Sequence, residues 1–95
     1  MPLPDEQIRE NLAVSIEIVL MRRGGPEFQT VLAKLNQINL EIRDCYNKPK
    51  ELSKILKEVY GNDFKSIVDE IGWELDEQTK DEKIKAFLDL LKKST

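Results

Sequence analysis

The chain has 95 residues, of which 40% are hydrophobic and 35% are charged, a balance typical of a globular domain and not of a disordered segment. Its 15 basic and 18 acidic side chains give a formal net charge of -3, opposite to the positive field that binds nucleic-acid phosphates. No apolar run approaches the ~20 residues that cross a bilayer, and the single cysteine excludes an intrachain disulfide. The opening residues lack the pattern of a secretion signal, so we expect one soluble domain, 1–95, in the cytoplasm.

The first amphipathic segment predicts a helix from about Asp5 to Arg23. Acidic residues at its start and arginines at its end match the helix dipole, and Gly24 and Gly25 end the pattern. Two apolar stripes at helical spacing lie on different sides of this helix. One stripe consists of Ile8, Leu12, Ile16 and Val19, and the other consists of Val14, Ile18 and Met21. The helix is therefore expected to be covered from two directions, by helices of its own chain or by a second subunit.

A second helix is predicted from Pro26 to about Tyr46. Its apolar residues alternate spacings of three and four, which is a heptad seam. The seam consists of Phe28, Val31, Leu35, Ile38, Ile42 and Cys45. About two and a half heptads are too few for a stand-alone coiled coil, but they favour left-handed packing against the first helix or a symmetry mate. Residues 1–47 are thus expected to form a long antiparallel helical hairpin that serves as a dimerisation half.

Residues 48–95 are predicted to form three shorter helices. Pro49 begins the third helix and Gly61 ends it. The fourth follows at once and weakens at Gly72, and the segment Thr79–Glu82 matches a capping box that would start the fifth. No strand pattern is present. The predicted fold is therefore all-α, with about five helices in a bundle that forms a homodimer.

The residue types leave little room for catalysis. The chain has no histidine, so the usual general base and the commonest nitrogen ligand of metals are missing. Cys45 lies on the apolar seam and is interpreted as an inert core thiol. Asp69, Glu70 and Glu74 could bind a divalent cation, but a solvated acidic face is the favoured interpretation because one helix supplies too few ligands. We expect no enzyme activity, no cofactor and no metal.

The turn between the first two helices has two interpretations. Arg22 and Arg23, with Gly24 and Gly25 and the start of the second helix, could cradle an anion, since backbone donors point there. The glycines lack the spacing of a phosphate loop, and ending one helix while turning the chain is a sufficient role for them. The turn is therefore favoured as structural, and anion binding stays the alternative.

The third helix, Gly61 and the fourth helix share the outline of a helix-turn-helix. A DNA reader of this kind presents basic or amide side chains to the major groove. The outward positions of the fourth helix carry Asp63, Asp69 and Glu70 beside one lysine, Lys65, and these carboxylates would repel phosphate. A nucleic-acid-binding transcriptional regulator is therefore kept as the alternative function.

Two further features point to a protein partner. Lys50, Lys54 and Lys57 form a basic stripe on the third helix, for which a solvated face is the favoured interpretation and contact with an acidic protein is the alternative. Trp73 follows a glycine near the end of the fourth helix. Burial between helices is favoured for this ring, and a place at an interface is the alternative.

The segment Pro49-x-x-Leu52-x-x-x-Leu56-x-x-Val59-Tyr60-Gly61, followed by Ile67-Val68-x-x-Ile71, resembles small archaeal helical domains. It is similar to the Nitrosopumilus-type output domain attached to signal-transduction proteins, over residues of about 48–75. The resemblance implies an archaeal module that passes on a signal through contacts between helices, and it implies no catalytic residue.

The leading hypothesis is a non-catalytic, homodimeric protein-protein interaction module. It follows from the doubled stripes of the first helix and the seam of the second. The expected dimer interface consists of Val14, Ile18, Met21, Phe28, Val31, Leu35, Ile38 and Ile42. The protein partner would contact Lys50, Lys54, Lys57 and Trp73.

Overall fold

The computed structural model describes residues 4–93, and of residue 77 it describes the backbone only. Residues 1–3, which belong to the segment expected to lack a secretion signal, and residues 94–95 lie outside the described part. The α-helices of the described part are α1 (Asp5–Arg23), α2 (Glu27–Gln37), α3 (Pro49–Tyr60), α4 (Phe64–Leu75) and α5 (Glu82–Lys93). Shorter 3-10 helices span Ile42–Tyr46, Gly61–Asp63 and Asp76–Lys80. Residues 4–93 include no strand, so the predicted all-helical class is confirmed.

Helix α1 has the predicted bounds, and one of its two stripes forms part of the core. This inner stripe, which consists of Ile8, Leu12, Ile16 and Val19, is at most 2% exposed. It packs chiefly against α4 and the 3-10 helix Ile42–Tyr46. Gly24 and Gly25 end the helix at positive φ angles of 69° and 74°, which glycine adopts without steric cost.

Helix α2 ends well before Tyr46, so the predicted length of the second helix is wrong. Asn39 adopts a positive φ of 59° and closes the helix. The N–H of Leu40 donates to the carbonyl of Leu35 (2.9 Å), and the N–H of Asn39 donates to the carbonyl of Asn36 (3.0 Å). These two hydrogen bonds form a Schellman motif, in which asparagine can replace the usual glycine. The seam therefore continues beyond α2 in a 3-10 helix and not in a coiled-coil helix.

The first two helices do not pair along their length. Helix α1 packs mainly against α4, and α2 packs mainly against α3, with only a small contact between α1 and α2. The predicted long antiparallel hairpin is therefore not the arrangement of residues 4–47. The buried side chains of both halves belong to one hydrophobic cluster.

The second half follows the predicted order of helices. Pro49 occupies the first turn of α3, and Gly61 ends that helix at a φ of 58°. The predicted capping box at Thr79–Glu82 is wrong, because Thr79 lies in a 3-10 helix and its hydroxyl donates to the carbonyl of Asp76 (2.7 Å). Asp81 caps α5 instead, since its Oδ1 accepts a hydrogen bond from the N–H of Lys83 (2.8 Å). In the described part of the chain, no helix combines the length and apolar composition needed to span a bilayer.

Candidate interaction surface

The second stripe of α1 faces away from the core. Val14 is 51% exposed, Met21 is 61% exposed, and Ile18 between them is half-buried. These three residues, called the outer stripe below, lie within two turns of one another on a helix whose opposite side is fully covered. An apolar stripe left open on a folded domain is a feature of contact surfaces.

The expected interface residues on the second helix have other positions. Val31, Leu35 and Ile42 are at most 5% exposed because their own chain covers them. Their predicted place in the dimer interface is therefore wrong. Phe28 is half-buried and packs against the same core. Ile38 is 43% exposed, because it follows the last residue of α2 and precedes the turn. Of the α2 seam, only Ile38 remains largely open to solvent.

Trp73 is 76% exposed, so the favoured burial of this ring is wrong. The helix turn explains its orientation. Gly72 faces α5, where a Cβ on that glycine would lie 4.0 Å from Leu88 Cδ1. The next residue of an α-helix is rotated by about 100°, so Trp73 turns away from α5 and into solvent. An exposed indole is a large apolar surface with a polar tip, as is common at interface hot spots.

Ion pairs join the end of α1 to α4. Arg22 Nη2 lies 2.9 Å from Glu74 Oε2, and Arg23 Nη2 lies 2.8 Å from Glu70 Oε1. Arg23 Nη1 also lies 3.6 Å from Asp63 Oδ2. The two arginines considered for anion binding thus contact carboxylates, and Glu70 and Glu74 contact cations of the protein itself. These pairs bring the end of the outer stripe close to the α4 segment that carries Trp73.

A cleft of about 300 Å³ lies on the other side of the outer stripe. Its apolar lining comes from α2 and the turn that follows, namely Leu32, Leu35, Leu40 and Ile42. Glu17 of α1 lies at its rim, on the flank of the outer stripe, and Leu32 is 36% exposed. We name it the Leu32 cleft. The early end of α2 at Asn39 creates it, so the predicted continuous helix could not reveal it.

The basic stripe of α3 is open in part. Lys50 and Lys54 are exposed, but Lys57 is half-buried as a residue, and its ammonium lies 5.0 Å from the centre of the Phe64 ring. Such a cation-π contact stabilises the junction of α3 and α4. Two lysines of the predicted three are therefore free to meet an acidic partner.

The lone thiol is part of the core. Cys45 is fully buried, and its Sγ donates to the carbonyl of Glu41 at 3.6 Å. Burial, with smaller effects of the carboxylates of Asp44 and Glu51, raises the pKa of the Cys45 thiol to about 12. A thiol held neutral is a poor nucleophile. Among the side chains that the structure describes, no three His, Cys, Asp or Glu residues are grouped to hold a metal ion.

No protein-family model, curated protein or solved structure matches this chain. The similarity of residues of about 48–75 to the Nitrosopumilus-type output domain stays a prediction. The geometry of the surface is thus the basis for assigning a function.

Proposed function

We propose that this protein is a non-catalytic helical interaction module whose docking surface is the outer stripe of α1 together with Trp73. One observation carries the proposal. The core closes over the inner stripe without using Val14 or Met21, which are 51% and 61% exposed. Because exposing apolar side chains costs about 25 cal/mol per Å², a partner that covers this stripe gains binding free energy.

The environment of the outer stripe supports a protein partner. Trp73 contributes an aromatic anchor, and the ion pair of Arg22 with Glu74 supplies a polar rim beside it. An apolar centre with a charged rim is the usual composition of a protein-protein interface. The neutral, buried thiol of Cys45 and the lack of histidine support a role without catalysis.

A capture experiment tests this proposal. The immobilised chain is incubated with lysate of the source organism, and proteins retained by wild type are compared with those retained by Met21→Lys. Leu90→Lys is the matched control. Leu90 is apolar, similar in size to Met21 and 47% exposed, but it lies on α5.

We expect wild type and Leu90→Lys to retain the same protein, and Met21→Lys to retain at least tenfold less of it, the loss typical of one interface hot spot. Circular dichroism and thermal unfolding establish that all three chains are folded. Equal retention by the three folded chains would contradict the proposal.

A further inference from the structure

We infer that the partner of the outer stripe is a second copy of this chain, with the two α1 helices side by side and parallel. The inference rests on the proposed function and names its partner. The outer stripe continues toward the start of α1 as a seam with alternating spacings of four and three. The seam consists of Gln7, Asn11, Val14, Ile18 and Met21. Ile18 then occupies an a position, where a β-branched residue favours two-stranded parallel pairs.

The charges beside the seam are complementary in the parallel orientation. Glu17 flanks it on one side, is exposed, and belongs to none of the ion pairs among the described residues. Arg22 flanks it on the other side, and its side chain is 58% exposed although it contacts Glu74. In a parallel pair, a g residue faces the e residue five positions later on the other helix. Glu17 of each copy then faces Arg22 of the other, and twofold symmetry makes this contact twice.

The antiparallel orientation is unfavourable for the same reason. It places equivalent flanks of the two helices against each other, so Glu10 and Glu17 of one copy would face the same carboxylates of the other. Glu10 already pairs with Arg43, but no ion pair among the described side chains neutralises Glu17. Two carboxylates that face each other across a helix pair repel. The distribution of charge therefore selects the parallel orientation.

The neighbouring elements also fit this orientation. Around a parallel twofold axis, the α4 flank of one copy meets the α2 flank of the other. Trp73 lies on the α4 flank, next to the Glu74 that contacts Arg22. The Leu32 cleft lies on the α2 flank, with Glu17 at its rim. Pairing Arg22 with Glu17 thus directs an exposed indole toward the Leu32 cleft of about 300 Å³, whose lining combines leucine and isoleucine side chains with polar ones such as Asn36.

The size of the contact predicts a weak dimer. Asn11 already donates a hydrogen bond to Gln78 of its own chain (2.6 Å), so the open apolar part of the seam runs from Val14 to Met21 and is roughly 12 Å long, at 1.5 Å per residue. So short a seam cannot hold two free peptides together, but α1 is already folded against its own core. The cost of ordering the helix is therefore not paid on association. We expect a dissociation constant of about micromolar magnitude, as for other small interfaces.

Two charge reversals test the pairing. In Glu17→Arg, positions 17 and 22 are both basic, and in Arg22→Glu they are both acidic, so each variant repels itself. Mixed in equal amounts, the two variants restore both contacts in a heterodimer. Positions five apart do not face each other within one helix, so restoration reports a contact between copies. We expect each variant alone to dimerise about tenfold more weakly than wild type, and the mixture to recover most of the loss in sedimentation equilibrium.

Cysteine cross-linking tests the orientation. With Cys45→Ala as the background, Val14→Cys and Met21→Cys are oxidised separately in a glutathione buffer. A parallel axis places each residue against its own equivalent, so both variants should form covalent dimers. If only one of the two variants cross-links, or neither does, the parallel pair is wrong. It is also wrong if wild type is a monomer at a protein concentration 100-fold above the expected dissociation constant. If lysate capture still depends on Met21, only the identity of the partner is wrong and the proposed function stands.

Discussion

The inner and outer stripes of α1 have the same helical spacing and similar aliphatic side chains, yet one is at most 2% exposed and the other includes side chains more than half exposed. Nothing in the residues of α1 alone separates them. What separates them is the position of α4 and of the 3-10 helix Ile42–Tyr46, which cover one side only. Periodicity thus identifies the apolar faces of a helix, whereas tertiary packing determines which of them is buried by the same chain.

The largest expected effect compares two valines of the same helix. Val19→Lys puts a charge at a fully buried position and should destabilise the chain by more than about 4 kcal/mol, enough to unfold a small domain. Val14→Lys replaces an exposed side chain and should change the free energy of unfolding by less than about 0.5 kcal/mol. Urea unfolding of the dilute chains measures both. Equal destabilisation would mean that both stripes belong to the core.

The second prediction extends the comparison to the seam of α2. Leu35 is 1% exposed and Ile38 is 43% exposed, although the heptad pattern treats them alike. Leu35→Ala should cost about 2–5 kcal/mol because it leaves a cavity, and Ile38→Ala should cost less than about 1 kcal/mol. Chemical denaturation with circular dichroism provides the values. Similar losses would favour the continuous seam over the turn at Asn39.

The third prediction uses pH to examine the core under the inner stripe. Burial raises the pKa of Cys45 from 9.0 to about 12, so the unfolded chain loses the thiol proton at lower pH than the folded chain does. Between these values the unfolded state binds fewer protons, and stability falls as pH rises. Wild type should lose stability more steeply than Cys45→Ala between pH 9 and 12.

Denaturant midpoints at a series of alkaline pH values measure that difference. The substitution itself adds a cavity penalty that does not vary with pH, so only the slopes are compared. Parallel slopes would place the thiol in contact with solvent.

The smallest expected effect concerns Trp73, the exposed aromatic residue of α4. Trp73→Ala should change the free energy of unfolding by about 0.5 kcal/mol or less, since the ring is 76% exposed. Its fluorescence in the dilute chain should resemble that of an indole in water and be readily quenched by acrylamide. A blue-shifted, protected emission from the dilute monomer would place the ring in the core.

Much of the fold is readable from local signals. The bounds of α1, the glycine turn after it, and the limits of α3 at Pro49 and Gly61 all depend on residues whose conformational preferences are strong. These signals act within a few residues, so the sequence alone reports them. The spacing of the two stripes of α1 is a local signal of the same kind.

The predictions for the end of α2 and the cap of α5 are wrong because a weak local signal competes there with a regular pattern. Asn39 closes α2, and asparagine tolerates positive φ, but Ile42 and Cys45 continue the apolar spacing, so the pattern predicts a longer helix. Near α5, Thr79 lies inside the 3-10 helix Asp76–Lys80, so Asp81, which follows that helix, caps α5.

The candidate surface was predictable in part. The outer stripe follows from the spacing of Val14, Ile18 and Met21, whereas the Leu32 cleft depends on the turn at Asn39. The contacts of Arg22 and Arg23 with α4 could not be foreseen, because they join residues about fifty positions apart. Pairing of distant charges depends on how helices cross, which short-range patterns do not encode.

The packing of α1 against α4 has a consequence for the nascent chain. About forty residues separate the end of α1 from the start of α4, and at 5–20 residues per second a ribosome needs roughly 2–8 seconds to make them. During that interval the apolar side of α1 lacks its main cover. Nascent chains arrested before Phe64 should therefore be sensitive to protease and bind chaperones, and those extended past α4 should be protected.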